Sequence, residues 1–485
     1  MISIDMLSDD VLLEIFDIYV NQYSDDQLTK NEMEEWQILV HVCRRWRSVV
    51  FGSPCLLNLR LVCTPGTSAR DTLDFWPSLP LFIRDSYRPR EDVDDIIAVL
   101  TGKRSDRVVE ISLYNVVGSG VEKVLAAMRV PLPELTRLTL RSYNATEPVV
   151  PDSFLGGSAP RLESLRLARI PFPGLPKLLL SATCLVDLHL ENISHSGYIS
   201  PEAMVIALST LTSLEYLSLQ FESPQSRPDW ATRHPPPLTH SVLPVLITFQ
   251  FKGVCEYLED FTARIDAPRI ENLEITFFNQ IVFDTPQFIQ FINRTPMLET
   301  FKKALVIFGY SDIARVILST QTSSYGKLNM QIPCKELDWQ VSSMEQVCTS
   351  CLPPLSMLED LYIYENRHPR LIWRDDPENV LLLELLQPFS SVKNLYLSEN
   401  FASHVMPALQ ELVEGRTTEV LPILQNIFLE EPQPRGAVQA CIQQFVAVRQ
   451  VTSHPIAVSR WDNSKDVLND MIRYKDTRLY SRLIY

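Results

Sequence analysis

Eight segments of this chain share one pattern: apolar, two others, apolar, one other, apolar. They are LTRLTL (135–140), LESLRL (162–167), LVDLHL (185–190), LEYLSL (214–219), IENLEI (270–275), LEDLYI (358–363), VKNLYL (392–397) and LQNIFL (424–429). VVEISL (108–113) and LITFQF (246–251) are looser copies. With the looser copies counted, successive copies are 23 to 34 residues apart except for the long step from Ile275 to Ile363: Leu140 to Leu167 is 27 residues, Leu167 to Leu190 is 23, and Ile363 to Leu397 is 34. A recurring period of that length means stacked supersecondary units, because one unit cannot bury its apolar face alone. The last two apolar positions of each copy flank a single residue, so a strand there points both to one face.

Helix signals lie between the strands. SPEAMVIALSTLTS (200–213) opens with Ser200 as N-cap and Pro201 at the first helical position, and TPQFIQFINRTPM (285–297) repeats this with Thr285 and Pro286. The expectation is an α/β repeat, an irregular leucine-rich-repeat solenoid over 108–431, with a parallel sheet on its concave face and helices on the convex face. Residues 55–107 would be a connector with the first irregular strand–helix units, and 432–485 a C-terminal cap and tail. In the regular repeat an asparagine follows three residues after the last leucine. Asn366 and Asn400 occupy that slot, whereas Ile170, Ile193 and Glu222 do not.

Composition excludes several classes. Hydrophobic residues make up 46% and charged residues 21% of 485, which fits a folded chain. A net charge of −15 argues against broad binding to nucleic acid or anionic membrane. No apolar run is long enough to span a bilayer, and MISIDMLSDD lacks the basic start of a signal peptide. Nine scattered cysteines form no disulfide framework and point to a reducing cytoplasmic or nuclear compartment.

Catalytic constellations are missing. The sequence holds no P-loop, GxSxG, HExxH or kinase set. CTSC (348–351) has metal spacing but no second ligand pair nearby, so two core cysteines are the better reading. DVDD (92–95) reads as the acidic start of a helix, and the proline-dense RHPPPLTH (233–240) as an inserted loop. The expectation is a chain without catalysis, cofactor or metal.

The first fifty residues differ from the rest. LSDDVLLEIFDIYV (7–20) predicts a helix capped by Ser8, with Val11, Leu12, Ile15, Phe16 and Tyr19 on one apolar face. NQYSDDQLTKNEMEE (21–35) is polar and reads as a loop or an extended helix end. WQILVHVCRRWRSVVFGS (36–53) predicts a second helix that places Trp36, Leu39, Val40, Cys43, Trp46 and Val50 near one face. So small a domain needs a partner, or must cap the repeats.

The order LSDDVLLEIF … VCRRWRSVV resembles an F-box over roughly residues 5–54. Two departures are Ser8, where the family usually has proline, and a longer segment between the helices. With HVCRRWRSVVFGSP, LNLRLVC and WPSLPLFI ahead of irregular leucine-rich repeats, the chain is similar to F-box proteins of mushroom-forming (basidiomycete) fungi. The resemblance implies an F-box domain over 1–54 docked on a Skp-type adaptor that bridges to a cullin-based ubiquitin ligase, with the repeats holding an unknown protein substrate. It carries adaptor contacts onto Leu7, Val11, Leu12, Ile15 and Phe16 of the first helix and Val42, Cys43 and Trp46 of the second, with Trp46 as anchor. The alternative is a non-ligase repeat scaffold with an F-box-like helical cap. Outward strand residues Arg137, Arg166, His189 and Tyr396 are candidates for substrate contact.

Overall fold

A computed structural model describes residues 6–21, 35–64, 76–85, 93–117, 119–143, 148–228, 240–278, 283–310, 312–320, 326–334, 337–365, 379–411, 420–430, 437–451 and 453–461. The chain divides into two compact units, the first running to His189 and the second beginning at Leu190. The segments around RHPPPLTH, Asn366 and 465–485, and most of 21–35, lie outside the described residues.

The first unit opens with helices α1 (Asp9–Asn21), α2 (Glu35–Val42) and α3 (Arg44–Gly52). Ser8 caps α1 as predicted, its Oγ accepting from the Val11 amide. The single helix expected over 36–53 is two. Cys43 takes an extended conformation (φ −158°, ψ 170°), and its Sγ accepts the Trp46 amide as the cap of α3. The Arg47 Nε donates to the Val40 carbonyl at 3.0 Å, serving the otherwise orphaned end of α2.

Strands β1 (Leu61–Cys63), β2 (Leu81–Arg84), β3 (Val108–Leu113), β4 (Arg137–Arg141) and β5 (Ser164–Ala168) then pair in parallel, each with the next. Helix α4 (Asp94–Thr101) starts with Asp94 and Asp95, so the acidic DVDD opens a helix. It neighbours α5 (Gly120–Ala127). Strand β6 (Asp187–Ile193) spans the division between the units.

In the second unit the strands are β7 (Tyr216–Phe221), β9 (Thr248–Gly253), β11 (Asn272–Phe277), β12 (Lys303–Tyr310), β13 (Ile313–Ser319), β14 (Lys327–Pro333), β15 (Asp360–Glu365), β16 (Asn394–Leu397), β17 (Asn426–Leu429) and β18 (Ala457–Arg460). Short β8 (Ser241–Val242) and β10 (Ile265–Asp266) form a separate pair. Helices α7 (Pro201–Leu208), α8 (Cys255–Thr262) and α9 (Pro286–Asn293) neighbour one another in order, as do α10 (Leu337–Ser350), α11 (Asn379–Leu386), α12 (Glu399–Glu411) and α13 (Ala437–Val451). Helix α6 (Leu175–Leu179) belongs to the first unit. No helix among the described residues is long and apolar enough to cross a membrane.

Backbone geometry repeats with the sequence. The first apolar residue of each motif donates to the carbonyl three residues earlier: Leu135 to Leu132, Leu162 to Ala159, Leu185 to Ala182, Leu358 to Leu355, Val392 to Phe389. One carbonyl before each strand then accepts two amides of the next unit. Glu163 accepts from Val186 and Asp187, Glu215 from Ile247 and Thr248, and Lys393 from Gln425 and Asn426, all at 2.8–3.1 Å. The paired leucines fill the core: Leu138, Leu165, Leu188, Leu217, Leu361 and Leu395 are all 0% exposed. These are stacked strand–helix units in a large, mostly parallel sheet, an α/β repeat of the leucine-rich type.

Two expectations need correction. The sheet is not parallel throughout: strand order runs β11-β14-β13-β12-β15, with β13 antiparallel to both neighbours. The cause is connection length. Parallel strands need a crossover of a dozen or more residues, and β12, β13 and β14 are joined by short links. The second link ends at Gly326 (φ +71°), where a Cβ would sit 2.5 Å from the Met297 carbonyl oxygen. Asn400 lies in the first turn of α12. A side-chain ladder that the sequence reading did not expect runs through the strand starts: Asn426 Nδ2 donates to Asn394 Oδ1 (2.8 Å), and Asn394 Nδ2 to Asp360 Oδ1 (2.7 Å). Thr285 does not cap α9 with its side chain. The buried Glu259 of α8 does, accepting the amides of Gln287 (2.7 Å) and Phe288 (3.0 Å).

Candidate protein-binding surfaces

The three N-terminal helices bury one side within the first unit. Leu12, Phe16, Trp36, Leu39, Val40 and Val50 are buried. Phe16 and Trp46 meet with ring centroids 4.8 Å apart. Trp36 donates Nε1–H to the Arg60 carbonyl at 3.1 Å and packs edge-on against Trp76 at 5.0 Å. Arg45 pairs with Asp9 at 2.8 Å, stapling α3 to the start of α1.

The other side is apolar and uncovered. Val11, Ile15 and Ile18 follow i, i+4, i+7 along α1 and are 40%, 44% and 67% exposed. Ile38 and Val42, four apart on α2, are 46% and 55% exposed, and Met6 is 77% exposed. The structure thus divides the residues expected at an adaptor contact. Val11, Ile15, Val42 and Cys43 are exposed and Leu7 is half-buried, while Leu12 and Phe16 point into the fold. Trp46 is half-buried against Phe16, so part of its surface is already used internally. The single apolar face expected on α1 is two faces. Met6, Ile18 and Ile38 were missed, although the spacing of Val11, Ile15 and Ile18 carried the signal.

Outward strand residues of the sheet form rows, because in-register parallel pairing sets equivalent residues side by side. In the first unit the rows are basic. The guanidinium carbons of Arg60, Arg84 and Arg137 lie 5.3, 5.6 and 5.9 Å from the Phe82 ring centre. Buried Glu110 pairs with Arg84 and with Arg137, each at 2.7 Å. Burial alone would raise the Glu110 pKa, but these arginines hold it below the ordinary value. Arg166 is half-buried. His189 is buried, and desolvation together with Arg166 pushes its pKa down to about 3. Of the four predicted contact residues, His189 therefore presents little surface.

In the second unit the rows turn from polar to aromatic. Glu274 of β11 accepts from Gln250 Nε2 (3.0 Å), Asn329 Nδ2 (2.8 Å) and Gln331 Nε2 (3.1 Å), and Arg315 Nε donates to Asn329 Oδ1 at 2.7 Å. Tyr362, Tyr396 and Phe428 then stack face to face at 4.2 and 4.5 Å, and the buried Trp461 lies 5.6 Å from both tyrosines. Leu305, Ile307 and Ile317 join that cluster. Tyr396, the fourth predicted contact residue, is the middle of the stack.

Chemistry-bearing clusters are scarce. Cys348 and Cys351 are buried and unpaired, and burial pushes both thiols up, Cys351 to about 12, which leaves them protonated and unreactive. Among the described residues no group of three or more His, Cys, Asp or Glu side chains is placed to hold a metal.

No family model and no curated protein matches the chain. Among solved structures it matches the leucine-rich repeat-containing protein LegL7 from Legionella pneumophila at 11% identity, covering 80% of this chain and 97% of that one, with a TM-score of 0.26. That score is too low to establish a shared fold. The repeat architecture rests on the strand register, the recurring turn and the doubly used carbonyls described above.

Proposed function

We propose that this chain is a substrate-receptor subunit of a cullin-based ubiquitin ligase, its N-terminal helices docking a Skp-type adaptor and its repeats holding the substrate protein. The observation that carries this reading is the uncovered row Val11, Ile15 and Ile18, with Ile38 and Val42 on the adjoining helix. An apolar row on a helix whose opposite face already fills a core is what a partner's groove requires. The resemblance of LSDDVLLEIF … VCRRWRSVV to an F-box names the partner. On this reading the chain contributes binding and no catalysis of its own.

The alternative, a repeat scaffold with a helical cap, draws on Trp36, which fixes the helices to Arg60 and Trp76. Capping and docking use opposite faces, so the exposed row discriminates between them. The test is co-purification of the chain with its host's Skp-type adaptor, alongside Ile15→Asp and Val42→Asp variants. Both positions are exposed, so the fold should survive, whereas Trp46→Ala would disturb the packing on Phe16. The expected result is adaptor capture by the parent and at least a tenfold loss in each variant, as removal of an interface anchor costs about 2 kcal/mol. A folded parent that captures no adaptor overturns the ligase reading.

A further inference from the structure

The apolar face of the N-terminal helices needs a cover even when no adaptor is at hand. Val11, Ile15 and Ile18 of α1, Ile38 and Val42 of α2, and Met6 just ahead of α1 are each 40% exposed or more. Together they amount to several hundred Å², the size at which an apolar patch on a single chain marks an interaction site. Leaving that area in water is unfavourable, so a free chain is driven to cover it.

The rim of the patch carries both signs of charge. Asp10 and Glu14 stand beside Val11 and Ile15 on α1, and Arg44 follows Val42 at the start of α3. All three are exposed, and none has an ion pair among the described residues, whereas the neighbouring Asp9 and Arg45 pair with each other. The Asp9–Arg45 contact also sets the starts of α1 and α3 side by side, so the acidic and the basic edge border one patch. A rim of one sign suits a partner of the opposite sign. A rim of both signs suits its own copy turned about a two-fold axis, where the acidic edge meets the basic edge twice.

We propose that, without adaptor, this face pairs with the same face of a second copy of the chain. The row Val11, Ile15 and Ile18 of each copy lies on Ile38 and Val42 of the other, and Glu14 of each meets Arg44 of the other. Spacing of i, i+4, i+7 gives the ridge that packs against a facing helix. Two copies bury the patch twice, which reaches the roughly 1,000 Å² that a specific interface needs and falls short of an obligate one. The pair is therefore reversible and of micromolar strength. Adaptor and second copy then compete for one face, and self-pairing keeps the receptor out of the ligase until adaptor is in excess. The pairing rests on the exposed face alone, and the competition rests on the ligase reading.

The experiment is sedimentation velocity of the full chain at about 0.15 M salt, where repulsion between two acidic chains is screened beyond about 8 Å. The expected result is a rise from one chain mass to two between about 1 and 100 µM. Ile15→Asp should hold the chain at one mass throughout. Glu14→Lys and Arg44→Glu should each weaken pairing several-fold, because like charges then face each other, and the double variant should restore it. Circular dichroism checks that each variant is folded. A parent that stays at one mass, a pair that survives Ile15→Asp, or charge reversals that do not compensate each overturn the proposal. Adding the host's Skp-type adaptor separates the two readings. Conversion of the pair to a one-to-one complex supports a shared face, and adaptor bound to the intact pair overturns it. A pair that no adaptor binds leaves self-pairing standing and removes the ligase reading, and a single chain that captures adaptor does the reverse.

Discussion

The outward faces of β2 to β4 and of β15 to β17 are held by opposite physics. Stacking repeats in register puts like positions about 4.8 Å apart. Where those positions are tyrosine or phenylalanine, closeness is favourable: Tyr362, Tyr396 and Phe428 stack within 13° of parallel. In the first unit opposite charges stand side by side instead: Glu110, opposite Arg137 in the register, pairs with both Arg137 and Arg84. An aromatic row reinforces itself along the sheet, whereas the arginines depend on one buried counter-charge.

The largest break in that comparison is Glu110→Ala. It leaves two half-buried guanidinium groups facing each other without their shared carboxylate, and losing one partner of a buried ion pair costs about 3 kcal/mol or more. Denaturant unfolding followed by Trp fluorescence should show the loss in the transition of the first unit, with Glu110→Gln falling between parent and Ala variant. An unchanged midpoint would mean that the arginines do not need Glu110.

Acid should separate the two regions next. His189 has its pKa lowered from 6.5 to about 3. Above pH 6.5 the ring is neutral in both folded and unfolded chains. Below it the unfolded chain takes up a proton that the folded one refuses, so stability falls with pH, by about 2 kcal/mol between pH 6.5 and 5. Glu110, held below its ordinary value by Arg84 and Arg137, adds a further loss at lower pH as its folded state finally protonates. The aromatic rows carry no group that titrates in this window. Stability against pH for the parent and His189→Asn, read at each transition, checks this: the variant should flatten the curve of the first unit and leave the second unit unchanged.

Much of the architecture was legible because the signal is local. LxxLxL dictates which residues face the core, and the caps at Ser8 and Ser200 follow from side-chain chemistry within three residues. The antiparallel insertion was not legible. KALVIFGY and IARVILS are apolar runs without a repeat motif, and only the shortness of the links between β12, β13 and β14 reveals their direction. The aspartate–asparagine ladder was readable in hindsight, since Asp360, Asn394 and Asn426 all precede the middle apolar residue of their motif. The site residues were half legible. Helical spacing cannot say which of two adjacent apolar rows on α1 meets its own core, because Phe16 answers to Trp46, thirty residues away in sequence. The polar network around Glu274 and Asn329 was invisible for the same reason, as Arg315 reaches Asn329 only through the reversed strand.

The smallest effect sharpens the comparison most. Tyr396→Phe keeps the stack on Tyr362 and Phe428 and removes only the hydroxyl beside that of Tyr362. Tyr396→Ala removes the central ring as well. Stacked aromatic pairs contribute about 0.5–1.5 kcal/mol each beyond their burial, and a hydrogen bond about 1 kcal/mol. If stacking holds this end of the sheet, Tyr396→Phe should cost about 1 kcal/mol or less in the unfolding transition of the second unit, and Tyr396→Ala at least twice that. Equal losses would place the stabilisation in the hydroxyl network instead, and the aromatic row would then resemble the arginines of the first unit: polar groups that tolerate one another only through a specific partner.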